Sequence, residues 1–226
     1  MAIITNDTSD TRSTHESGLS LLERVASLED VIRRGGDEAQ ELRRCPSFVV
    51  DALIDAGLFR FTIPRELGGE DASVGQTIEV LEAISAIDAS VGWNVMLGSE
   101  INAMAAGGMA KELAEEVYLA DPGVIMCGGG GPGTTPSRAV EQPDGSYRIW
   151  GHTTFISGCH NATWCFMNAP LMKDGQPELD EQGKPIMKMW FLHRSEWEIV
   201  DTWICNSTSA GGLDGTVVGD WSRTAA

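Results

Sequence analysis

Apolar residues along this chain repeat with two different periods. Leu21, Leu22, Val25, Leu28, Val31 and Ile32 recur three or four residues apart, which predicts one amphipathic helix over residues 21–32. A second run over 47–56 ends at Gly57, a residue suited to the left-handed conformation that closes helices. Val74, Ile78, Leu81 and Ile84 define a third helix with Ser73 as its N-cap. Residues 91–106 are apolar nearly all round, as in a central buried helix, and 110–120 close the helical part. Beyond Pro122 the period drops to two. Alternation predicts strands over 147–150, 153–156, 164–168, 187–192 and 197–203, with the polar excursion 173–184 as an exposed loop. The fold class expected is α+β and multi-domain. A loose tail (1–17) precedes an α-helical domain (18–121), and an antiparallel β-barrel or sandwich domain (122–226) follows, with an atypical end from about residue 206.

Composition narrows the function classes. The 226 residues carry a formal charge of −17, which repels phosphate backbones and anionic headgroups, so neither a nucleic acid nor a membrane surface is an expected partner. No apolar run is long enough to cross a bilayer, and the first sixteen residues lack the apolar core of a secretory signal. Five cysteines at irregular spacings fit reduced thiols in a cytoplasm better than a disulfide framework. Cys159, His160, Cys165 and His152 do not have the spacing of a tetrahedral set, and no metal is expected. Gly128, Gly129, Gly130 and Gly131 suggest a loop that an anion or ligand approaches closely. They lack the strand-before, helix-after setting of a dinucleotide fingerprint or P-loop.

The most informative block runs from Asp144 to Trp164. Thr153, Phe155 and Ser157 alternate with Thr154 and Ile156 between Gly151 and Gly158, which predicts a strand with an aromatic ring and a hydroxyl on one face. Residues 56–69 read as a helix end, a short extended run, and a Pro-initiated turn closed by two glycines. Asp88 to Trp93 and Glu198 to Trp203 are further matching segments, and the four keep one family's order over residues 45–203.

Together these segments resemble the N-terminal and middle domains of the acyl-CoA dehydrogenase superfamily. The resemblance implies a flavin cofactor, FAD or reduced FMN, along an edge formed by Gly151, Phe155, Ile156 and Ser157. Ser157 would polarise the flavin near its reactive nitrogen, which makes it the catalytic candidate. It also implies that Gly133 and Thr134 touch the flavin and that Trp93 and Gly130 line the substrate. The chain lacks the Thr-Glu-Pro and Gly-Ser-Asp motifs of the dehydrogenases, and its Ser-Gly-Cys-His run and Gly92-Trp93 resemble the monooxygenase branch. That branch takes reduced flavin from a partner reductase and hydroxylates small aromatic or heterocyclic substrates. Family members form homo-tetramers and continue into a C-terminal helical bundle that this chain does not contain. A dehydrogenase oxidising a CH–CH bond and a truncated, non-catalytic remnant stand as the alternatives.

Overall fold

The computed structural model describes residues 18–129, 131–132, 136–201 and 215–224. Helices α1 (Leu21–Ser27), α2 (Glu29–Leu42), α3 (Ser47–Asp55), α4 (Val74–Ile87), α5 (Ala89–Gly108) and α6 (Lys111–Ala120) come first. Nine strands follow: β1 (Met126–Gly128), β2 (Gly131–Pro132), β3 (Arg138–Glu141), β4 (Ser146–Thr154), β5 (Trp164–Lys173), β6 (Gln176–Pro177), β7 (Met187–His193), β8 (Glu198–Asp201) and β9 (Gly215–Thr224).

Local signals set the helix ends. Ser20 and Ser73 each accept a hydrogen bond from the third helical amide, while Glu23 and Gln76 reach back to the cap amides. Gly57, at φ +72°, donates to Ile54 O after α3, and Leu58 N donates to Leu53 O, which satisfies carbonyls the helix leaves open. The expected single helix over 21–32 is instead two, α1 and α2, which meet at Leu28. The apolar spacing carries across the join, so periodicity alone does not show it. The stretch after Gly57 is a chain of turns rather than an extended run, with Arg60 N bonded to Gly57 O and Ile63 N to Arg60 O.

Two further expectations are corrected. The two short strands drawn on either side of Gly151 are one continuous strand, β4. Gly151 is not a turn there. It lets the segment before β3 approach, because a Cβ at this position would lie 2.4 Å from Ser137 Oγ. The sheet is mixed rather than antiparallel, since β1 and β3 both run parallel to β5. Alternation reports which face a residue is on and carries no information about strand direction; direction follows from the long connections that bring the chain back.

The sheet path is β1-β5-β3-β4-β9-β8. Strand β5 bridges two parts of it: residues 164–170 pair with β7, while Leu171 and Met172 pair with β3. One hydrophobic cluster runs from Val25, Leu53 and Val95 in the helices to Ile149 and Leu192 in the strands and Ile156 just beyond β4. The helical and strand parts therefore share a core. Asn102 fastens them: its Nδ2 donates to Phe59 O (2.8 Å) and Val124 O (3.1 Å), and its Oδ1 accepts from Met126 N (3.0 Å). Tyr118 OH donates to Asn102 O at 2.9 Å. A buried amide in an apolar helix needs such partners, and this one joins α5 to the entry of β1.

Candidate functional site

The site starts where β4 stops. Ile149, Gly151 and Thr153 face inward, so strict alternation would turn Phe155 inward as well. Pairing ends instead at Thr154, opposite Gly131, and Phe155 takes φ +59°. This corrects the expectation of a strand reaching Ile156. The left-handed residue shifts the phase by one: Ile156 is fully buried in the core, while Phe155 is 64% exposed. A bulky side chain in this conformation costs about 1–2 kcal/mol, so the surrounding turn must hold it there.

That turn is closed by its own backbone. Cys159 N bonds to Ile156 O, Asn161 N to Gly158 O and Ala162 N to Cys159 O. Ile156 and Cys159 are its buried anchors. Ser157 is half-buried and lines a small recess of about 10 Å³, room for a water-sized group, together with Phe59, Asn94, Gly98, Met126 and Asn161. Gly98 has the packing role here, since a Cβ on it would lie 2.5 Å from the Phe59 ring. Ile156 is a core anchor, Phe155 is exposed, and Ser157 is the member of this sequence-derived run that lines the recess. Trp93 is 39% exposed on α5, next to the recess-lining Asn94. Gly130, Gly133 and Thr134 lie outside the described residues.

Behind the turn sit the buried thiols Cys127, Cys159 and Cys165. Cys127 and Cys165 are register partners on β1 and β5, and burial, reinforced by a hydrogen bond with Cys165 that favours the neutral thiol, pushes the Cys127 thiol well above its ordinary value. It is a packing group. Gly128, at φ +153°, brings the glycine-rich segment onto the Phe166 ring, where a Cβ would come within 2.4 Å. Asn94 and Asn161 were not singled out from the sequence. The available signal was an amide inside an apolar helix, with Asn94 and Asn102 two turns apart on one face.

Residues 20–121 match the family model for the acyl-CoA dehydrogenase N-terminal domain. The chain is built on the acyl-CoA dehydrogenase fold. The oxygenase component of the FADH2-dependent resorcinol hydroxylase of Rhizobium sp. (strain MTP-10005) is 31% identical over 87% of this chain and 44% of its own length. The crystal structure of the HsaA monooxygenase from M. tuberculosis superposes with a TM-score of 0.75 at 28% identity, over 91% of this chain and 51% of that one. XiaF from Streptomyces sp., solved with FADH2 and glycerol, shares the fold at a TM-score of 0.77 and 23% identity, over 90% of this chain and 49% of its own. The chain thus spans about half the length of the relatives it matches. Among the described residues, no helix is long and apolar enough to cross a membrane.

Proposed function

We propose that this chain contributes the helical (18–121) and strand (122–226) domains of a flavin-dependent oxygenase component that hydroxylates a small aromatic or heterocyclic substrate. The observation that carries the reading is Phe155, a large apolar ring held exposed in an unfavourable backbone conformation two residues before Ser157. Strain of this kind persists where the fold is organised for a ligand. Similarity to the resorcinol hydroxylase component over 87% of the chain supports the same reaction class.

The recess has room only for a water-sized group, so the flavin of this reading lies over the exposed turn and not inside it. Phe155 offers an apolar surface to a flat ring, Ser157 a hydroxyl to its polar edge, and the Asn94 and Asn161 amides a polar lining behind them. When bound, reduced flavin supplies the electrons that activate dioxygen. Ser157 supplies a fixed dipole at the ring edge, Trp93 walls the substrate side, and the buried Ile156 and Cys159 keep the turn from relaxing. Gly130, Gly133 and Thr134 complete the proposed contacts to substrate and flavin. The partner that fits this chemistry is a flavin reductase delivering reduced FAD or FMN. The buried thiols Cys45, Cys127, Cys159 and Cys165 support a reducing, cytoplasmic setting. The dehydrogenase alternative draws on the family model for residues 20–121 alone, whereas relatives aligned over most of the chain, the resorcinol hydroxylase component and the HsaA monooxygenase among them, are oxygenases.

The test is anaerobic titration of the purified chain with FAD, reduced FAD and reduced FMN, followed by flavin fluorescence and absorbance. Saturable binding that weakens about ten-fold in Ser157→Ala and in Phe155→Ala is the expected result. Binding that neither substitution changes would sink the assignment of the site.

A further inference from the structure

The recess beside Ser157 contains a contact that the reading above does not use. Asn94, 4% exposed on α5, donates from Nδ2 to Ser90 O at 2.9 Å, the carbonyl one helical turn back. That bond fixes the orientation of its amide and aims Oδ1 away from the helix. Asn161, at the far end of the turn that begins with Phe155, donates from Nδ2 to this oxygen at 3.3 Å. The two amides are 67 residues apart in sequence, and the bond joins a helix of the N-terminal part to the turn that presents Ser157.

We infer that Asn94 and Asn161 form a positioning clamp that sets where Ser157 and Phe155 stand relative to α5, and so relative to Trp93. The inference rests on the flavin reading of Ser157. The turn has strong anchors in depth, because Ile156 and Cys159 are buried in the core. Burial of these two side chains sets depth and does not by itself fix a direction along the helix. A directional hydrogen bond from Asn161 to a helix-fixed oxygen fixes it. In the bond as formed Asn161 donates and Asn94 accepts, while one Asn94 N–H is held on Ser90 O.

This polarity gives a variant that separates positioning from simple packing. Asn161→Asp keeps the shape of the side chain and puts an acceptor against an acceptor. Reduced FMN binding to the full chain, measured anaerobically, is expected to weaken three- to ten-fold in Asn161→Asp and in Asn161→Ala. The double substitution Asn94→Ala/Asn161→Ala is expected to cost no more than either alone, because both remove one interaction. The absorbance maximum of bound flavin should shift in Asn161→Asp while the thermal midpoint stays near that of the unmodified chain, a split that a purely structural role would not produce. If Ser157→Ala weakens binding and Asn161→Asp does not, the clamp is overturned and the flavin reading stands. If neither change alters binding, the flavin reading falls and the clamp with it.

Discussion

The helical and strand parts treat their polar groups differently. In the helical part, the buried Arg24, Arg60 and Asn102 side chains are spent on structure. Arg24 grips Glu70 in a two-pronged ion pair at 2.7 Å and donates to Ala56 O, and Arg60 donates to Leu67 O, Gly68 O and Tyr118 O. Each ties a loop to a helix end. At the end of β4 the opposite holds. An aromatic ring faces solvent, a backbone sits in a costly conformation, and serine and asparagine side chains line a recess. The lesson is a division of labour in which the helical frame supplies the rigidity that a strained, open turn needs in order to keep its shape.

Four substitutions or conditions would break or sharpen that contrast. Asn102→Ala is expected to have the largest effect, because it leaves two buried carbonyls and a buried amide unpaired at the join between the parts. A loss of about 3 kcal/mol, read from the urea midpoint at constant slope, is the expected outcome. A loss of flavin affinity at unchanged stability would instead make Asn102 part of the site. Gly128→Ala follows. Its Cβ would press on the Phe166 ring and carbonyl at a left-handed φ, for a cost of about 2 kcal/mol, checked in the same assay.

Phe155→Gly sharpens the contrast most directly. Glycine takes φ +59° without steric penalty, so the melting midpoint should rise with a gain of about 1 kcal/mol while flavin affinity falls. A variant that loses stability would show that the ring is packing and not presentation. The smallest effect is alkaline. Burial pushes the Cys45 thiol up to about 12 from 9.0, with Asp88 adding to it. A group raised in the folded state contributes stability that is whole below its unfolded value and is lost as pH climbs toward the folded one. Urea midpoints should therefore begin to fall above pH 9, by less than about 1 kcal/mol near pH 9.5, and Cys45→Ala should flatten the slope.

Much of the frame was legible along the chain. Ser73 as a cap, Gly57 as a terminator and the unbroken apolar stretch of α5 are local signals, and the structure uses them as read. Phe155 and Ser157 were also legible, through their resemblance to a known edge. Their geometry was not. A period of two cannot announce the single left-handed residue that turns Phe155 outward and Ile156 inward, because that choice is set by which side chain the core accepts.

By itself, the sequence determined the cap at Ser73, the terminator at Gly57, the apolar run of α5 and the alternation of the later part. Those properties depend on residues within a few positions of one another. Tertiary structure alone decided that β1 and β3 run parallel to β5, that Gly151 serves a close approach to Ser137, and that Asn102 and Asn161 bond across the join between helices and strands. Each of these needs partners distant in the chain, and a hydrogen bond or a steric contact exists only once folding has brought both of its ends together.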